Sequence, residues 1–447
     1  MKKKFIWNLL LVICLNFLIK PFYILGIDAE VINRVGASVY GNYFALINFS
    51  FLLNIILDLG ITNYNVKNIA QHHQLLDKHF SGIIILRLIL VALYLISVLF
   101  ISIIINYDLQ QIKMLFFLAI NQALVAFILY IRSNLSGLHL FFQDSIISVL
   151  DRFLLIVICS VLLWGGVTSE PFQIEWFIYA QSISYFITLV TSFVLVFRRT
   201  SKFNITWNPS FSLVIVKRSF PYALLILLMT LYYRIDSVML ERMIDDNCTQ
   251  AGIYAQSYRF FEASNMIAYL FAALLFPIFS RMIKMKESIN EIVLFAFKIL
   301  LSGSFILALF CCVYSTEIIT LRYNNYIIES ASILSVLMIC FLFISCTYIY
   351  GTLLTANGNL RHLNLIAGFG MILNIVLNLI LIPKYAALGS AIASLITQFI
   401  TAFIQIVLCF VIFKLDVIKA FSNLGFFMFG LLIFTFFLHN YESSFFN

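Results

Sequence analysis

The chain has 447 residues, 63% of them hydrophobic and only 11% charged, with a mean hydropathy of +1.03. No water-soluble fold has interior enough for that share of apolar side chains, so the sequence reads as an all-α polytopic membrane protein without an attached soluble domain. The net charge of +8 is not gathered into a dense basic patch, which argues against nucleic acid as a partner.

Crossing a hydrocarbon core of about 30 Å takes about 20 helical residues. Stretches of that kind fall at 5–27, 38–60, 81–105, 113–131, 146–165, 176–197, 219–240, 253–279, 291–314, 331–351, 364–382, 388–413 and 422–438. Asp151 and Arg152 interrupt the start of the fifth. Trp7, Tyr40, Tyr43, Tyr107, Trp164, Trp176 and Tyr385 sit near span ends, as interfacial anchors do. The N-terminal MKKKFIWNLLLVICLNF has no small-residue cleavage site and reads as a retained first helix.

With Met1 cytoplasmic, eighteen of the 28 Lys and Arg residues fall on inner loops and span edges, Arg132, Arg152, Arg198 and Arg199 among them. Five (Arg34, Lys113, Arg242, Arg322 and Lys384) fall outside. That asymmetry fixes the expected orientation by the positive-inside rule. It puts 198–218 inside and the 241–252 and 315–330 loops outside. Of the eight cysteines only Cys248 lies in a loop, and no CxxC or Cys/His spacing points to a disulfide framework or a metal. His72, His73 and His79 share one short inner loop and read as solvated.

The polar stretch 198–218 divides the chain into an N-terminal six-helix lobe (1–197), a cytoplasmic linker (198–218), a C-terminal six-helix lobe (219–413) and an additional helix and tail (414–447). The halves echo each other: VYGNYFAL opens the second span and AGIYAQSY the eighth. Both place Gly-x-Tyr where the chain re-enters the bilayer, and an even number of spans per half gives two repeats of one orientation.

NIVLNLILIPKYAALGSAIASLITQ at 374–398, ASVYGNYFALINFSFLLNIILDLGITNYNVKNIA at 37–70, and YYRIDSVML at 232–240 with AGIYAQSYRFFEASN at 251–265 resemble the polysaccharide (O-antigen and capsule) flippases of the multidrug/oligosaccharidyl-lipid/polysaccharide exporter superfamily. The resemblance implies a MATE-like fold of about 12–14 transmembrane helices, of which thirteen are counted here, in two six-helix lobes around a central cavity. It further implies a substrate, an undecaprenyl-pyrophosphate-linked oligosaccharide moved across a bacterial inner membrane by alternating access. Membrane lipids and the polysaccharide polymerase machinery are the other partners expected, with no cofactor.

Charged groups at membrane depth cost several kcal/mol unless they meet a cavity or a partner. Five cations (Lys20, Arg87, Arg234, Arg259 and Lys298) and three acids (Asp58, Asp236 and Glu262) qualify. On the eighth span Tyr254, Tyr258, Glu262, Asn265 and Tyr269 form one polar stripe at spacings of three and four. Two readings stand side by side. In the structural one, Arg87 and Lys298 snorkel to the inner face, while Arg234–Asp236 and Arg259–Glu262 are internal salt bridges. In the functional one, the five cations with Tyr254, Tyr258 and Asn265 line a cavity. Arg would then fork onto pyrophosphate, Tyr and Asn would meet sugar hydroxyls, and Asp58, Asp236 or Glu262 would carry a coupling ion. A drug or metabolite antiporter of the same superfamily is the alternative, but it would use interior acids to hold a cation. No GxxxxGK[ST] motif occurs and the outer loops are short, so no catalytic residue or metal site is expected.

Overall fold

The computed structural model describes residues 16, 18–62, 65, 75–138, 140–167, 170–198, 209–246 and 248–415. Among these the chain is helical, with no strand. A π-helical turn at Tyr23–Asp28 leads into α1 (Ala29–Val35). Then follow α2 (Ala37–Leu52), α3 (Ile55–Asp58), α4 (Leu75–Ile104), α5 (Leu109–Gly137), α6 (Phe141–Trp164) and α7 (Ile174–Phe197). The chain continues with α8 (Pro209–Met243), α9 (Thr249–Met285), α10 (Asn290–Val313), α11 (Ser315–Arg322), α12 (Ile327–Ala356) and α13 (Leu360–Phe413).

Nine of the described helices are long and apolar enough to cross a membrane. The 54-residue α13 is two of the expected spans joined by a tight turn. Pro383 cannot donate to the helix ladder, and Ala386 leaves helical geometry at φ 49° and ψ −129°. A Cβ added to Gly370 would lie 2.7 Å from Thr401 Cγ2, and one added to Gly389 only 2.3 Å from the Leu381 carbonyl oxygen. Continuous helix would hold residues 370 and 401 about 46 Å apart. The arms therefore run antiparallel, and Gly389 has to lack a side chain for the reversal to close.

The long helices are apolar on the outside, as a bilayer requires. On α4, Leu93, Ile96, Phe100 and Ile103 are all more than half exposed, at spacings of three and four. The opposite face buries Arg87, Tyr94 and Val98, with the Tyr94 hydroxyl donating to the Ser50 carbonyl at 2.9 Å.

The chain divides into two compact units, Met1–Glu241 with Asn247–Gly252, and Arg242–Asp246 with Ile253–Asn447. In the first, α5 packs on α2 and α7, and α6 on α7. Its core gathers Ile61, Phe80, Ile83, Leu86, Tyr130 and Tyr185. In the second, α12 packs against α10 and α13, and Gly351 brings α12 close to Gln405.

The glycines of the two echoed segments meet within the first unit. A Cβ on Gly41 would stand 2.0 Å from the Cys248 carbonyl oxygen, and one on Gly252 would stand 1.9 Å from that of Ala37. Each glycine thus admits the backbone at the start of the other's helix.

The structure corrects the placement of Arg152 and refines three other expectations. The fifth span is not interrupted at Asp151 and Arg152, because α6 begins five residues earlier than the apolar window and runs unbroken. Arg152 therefore sits about 16 Å along its helix, at membrane depth and not at a span edge. The segment read as a linker is helical from Pro209 onward, and the loop at 315–330 contains the short helix α11. The 422–438 span, His72 and His73 lie outside the described residues.

The glycine contact makes a direct prediction. Gly41→Ala and Gly252→Ala should each lower the amount of monodisperse protein extracted from membranes and its thermal midpoint. Gly303→Ala, where a Cβ meets nothing within 4 Å, should leave both unchanged.

Candidate functional site

Two clusters of charge lie inside the first unit. Arg87 on α4 is 1% exposed. Its Nη1 donates to the Ala126 carbonyl at 2.9 Å, and its Nη2 donates to Thr62 Oγ1 at 2.8 Å and to the Asp58 carboxylate. The guanidinium stacks 4.8 Å over the Tyr130 ring. The carboxylate also accepts from the Thr62 amide at 3.2 Å, an arrangement made possible by the left-handed turn at Leu59 and Gly60. Arg87 does not snorkel. Its two terminal nitrogens are engaged inside the helix bundle by groups on α3, α5 and the turn after Asp58, while its Nε is buried without a hydrogen-bond partner among the described residues.

The second cluster surrounds the π-helical turn, whose widened i→i+5 bonding re-aims side chains between two helical stretches. Asp28 is fully buried and accepts a hydrogen bond from the Tyr40 hydroxyl at 2.8 Å. The Tyr40 and Tyr43 rings are 5.3 Å apart, and Gln181 Nε2 donates to the Tyr43 hydroxyl at 2.8 Å. Arg152 donates to the Tyr185 hydroxyl at 3.0 Å, lies 4.8 Å over the Tyr23 ring and has Asp151 3.7 Å from its Nε. The half-buried Lys20 lies in the field of Arg152, Asp151 and Arg132. Further along the unit, Arg234 on α8 donates to Asn48 Oδ1 at 3.0 Å and lies 4.7 Å over Phe51. Asp236 is 2% exposed.

The second unit carries the polar stripe of α9. Tyr254 and Tyr258 are buried and stack at 5.7 Å. Arg259 donates to Glu262 at 2.6 Å, one turn on. The Asn265 Oδ1 is buried with no hydrogen-bond partner among the described residues, while Tyr269 is mostly exposed. Ser330 donates to Gln256 at 2.6 Å and Ser257 to the Ser330 carbonyl at 2.5 Å, tying α9 to α12. On α13, Asn378 donates to Asn374 at 3.1 Å, and Lys298 is half-buried on α10.

Of the predicted residues, Asp58 and Arg87 come together, as do Arg259 and Glu262, and Tyr254 and Tyr258. Lys20, Asp58, Arg87, Arg234 and Asp236 belong to the first unit, while Tyr254, Tyr258, Arg259, Glu262, Asn265 and Lys298 belong to the second. Sequence reasoning missed Asp28, which falls one residue past the apolar window, and placed Arg152 at a span edge. Tyr185, a polar residue inside the sixth apolar window, was the available signal for Arg152, whose guanidinium reaches it.

The sequence matches the family described as polysaccharide biosynthesis protein over residues 3–283. The chain belongs to that family. Comparison with curated proteins gives no match. Among solved structures, the lipid II flippase MurJ in an inward closed conformation superposes with a TM-score of 0.73 at 16% identity, covering 98% of both chains. An inward-facing multidrug resistance MATE family transporter of the MOP superfamily gives 0.71 at 15% identity, covering 88% of this chain and 94% of that one. A MOP superfamily transporter from Pyrococcus furiosus gives 0.60 at 13% identity, covering 91% and 94%. The family member therefore has the MATE-like fold.

The Arg87–Asp58 geometry predicts an asymmetric double-mutant cycle. Arg87→Met alone strands Asp58 and should lower membrane abundance sharply, a loss on the order of 3–5 kcal/mol for breaking a buried pair. Arg87→Met with Asp58→Asn should restore most of the abundance, measured by fluorescence-detected size exclusion. Arg87→Lys should recover little, because one ammonium cannot span Ala126, Thr62 and Asp58 together.

Proposed function

We propose that this protein is a flippase that moves an undecaprenyl-pyrophosphate-linked oligosaccharide from the cytoplasmic to the outer leaflet of a bacterial inner membrane. What carries the reading is family membership in polysaccharide biosynthesis across residues 3–283. It gives a chemical purpose to guanidiniums kept at membrane depth. Two six-helix lobes would alternate access around a central cavity, with Met1 on the cytoplasmic side and the prenyl tail left in lipid.

Arg234 and Arg259, with Lys20 and Lys298, are the groups proposed to meet the pyrophosphate, since a planar fork matches phosphate oxygens in pairs. Tyr254, Tyr258 and Asn265 would take sugar hydroxyls. Arg87 is reassigned in this reading to holding the first unit together, because every direction from its guanidinium that the structure records ends on protein. Asp28 joins Asp58, Asp236 and Glu262 as carboxylates proposed to carry a coupling ion.

The test separates substrate contact from structural pairing. Arg259→Ala should abolish surface polysaccharide while leaving the protein in the membrane, and Arg259→Ala with Glu262→Gln should not restore export. If that double variant exports normally, the Arg259–Glu262 pair is structural and Arg259 leaves the proposed substrate site. Orientation is tested separately with an impermeant maleimide on intact spheroplasts. Cys248 should be modified and a cysteine placed at Ser201 should not; the reverse pattern would invert the topology.

A further inference from the structure

One end of the first unit, where α1 meets α2, α4 meets α5 and α6 meets α7, holds a cleft of about 510 Å³ that none of the charged clusters above uses. The volume lies inside the range of about 300–1,000 Å³ typical of small-molecule sites. Arg34, Asn42, Asp108, Gln111, Phe172 and Glu175 line it, and Cys248 closes one side. A second cleft of about 210 Å³ continues from it, sharing Gln110, Met114 and Glu175.

The walls are held by hydrogen bonds local to this end of the unit. Asp108 and Gln111 cap the start of α5 reciprocally: the Gln111 amide donates to Asp108 Oδ1 at 2.7 Å, and the Asp108 amide to Gln111 Oε1 at 3.2 Å. The Gln111 side-chain amide then reaches Asn42 Oδ1 at 3.1 Å. Phe172 is braced edge-on by Trp176, with ring centroids 5.9 Å apart. Trp176 stands where an interfacial tryptophan would, which sets the cleft at headgroup level, beside the bilayer surface.

This lining combines planar amide and carboxylate groups, which offer donors and acceptors in pairs, with an aromatic face. Two carboxylates face one guanidinium, and Arg34 Nε is already engaged by Glu30 at 3.1 Å. Lys113 stands in the adjoining cleft, so the acidic balance is confined to the larger one, which disfavours a pyrophosphate and suits vicinal hydroxyls, acetamido groups or amines on a sugar ring. We propose that it is a saccharide subsite, which receives the glycan of the lipid-linked substrate at the outer surface while the pyrophosphate is held elsewhere. The proposal rests on the flippase reading and names the part of the substrate that this end of the unit recognises.

The experiment uses the full-length protein in lipid nanodiscs with two separate probes. One is the water-soluble glycan released by mild acid from the host's lipid-linked intermediates, and the other is undecaprenyl pyrophosphate without sugar. The rate of maleimide modification at Cys248, followed by peptide mass spectrometry, reports occupancy of the cleft. The glycan should slow that reaction in the wild type. In Glu175→Gln and in Phe172→Ala about tenfold more glycan should be needed for the same protection, as expected for loss of one strong contact. Binding of undecaprenyl pyrophosphate should be unchanged in both. Glycan protection that is absent, or equal in wild type and both variants, while undecaprenyl pyrophosphate still binds, would overturn the subsite and leave the flippase reading intact. Failure of the wild type to bind either probe would overturn both.

Discussion

A charged side chain cannot stay alone in hydrocarbon, and that constraint organises the interior of this protein. The described guanidiniums at membrane depth each have polar or aromatic company. Arg87 is anchored on Asp58, Thr62 and a carbonyl oxygen, Arg152 between two tyrosine rings, and Arg259 on Glu262. Arg234 lies between Asn48 and Phe51. These sites differ in burial. The Arg87 arrangement is tightly buried, whereas Arg234 is half-buried, with Asn48 and Phe51 among its neighbours. The first kind of site is suited to fixing helices against one another.

Small residues perform the complementary task. Gly41 and Gly252 let two helix starts approach until a methyl group would collide with backbone, and Gly389 lets α13 reverse within a few residues. In a membrane the hydrophobic effect does not distinguish helix from lipid, so such close backbone approach is one of the few sources of packing specificity. The charge sites and the glycine contacts therefore share the work of defining the interior of each unit, with the apolar exterior left to the bilayer.

Much of this was legible from composition and pattern. The long helices from α4 to α13, the short α11 apart, overlap the apolar windows because bilayer thickness sets a minimum length for a span. The turn between the arms of α13 was marked by the Ile-Pro and the small-residue run, and the Arg259–Glu262 pair by their one-turn spacing. The depth of Arg152 was not legible, since hydropathy cannot see that α6 starts at Phe141, in a segment carrying Asp144 and Gln143. Asp28 was missed for a related reason: helix continues past the apolar window, through the π-turn and on to Val35. The meeting of the two Gly-x-Tyr segments is a tertiary fact, as their likeness gave no hint that the two glycines pack together. The cleft was invisible because its residues come from separate stretches, within 34–42, 108–114 and 172–175 and at Cys248, each an ordinary polar span end.

The central claim is that the protein carries an anionic lipid-linked glycan and not a cationic solute. Proteoliposomes containing the purified protein and the host's undecaprenyl-pyrophosphate-linked oligosaccharide test it most directly, with a glycosidase added outside and an ionic gradient imposed. The inner-leaflet pool should become accessible to the enzyme at a rate set by the protein, while the cationic dye ethidium is not moved. Transport of ethidium with the oligosaccharide left sealed in the inner leaflet would contradict it.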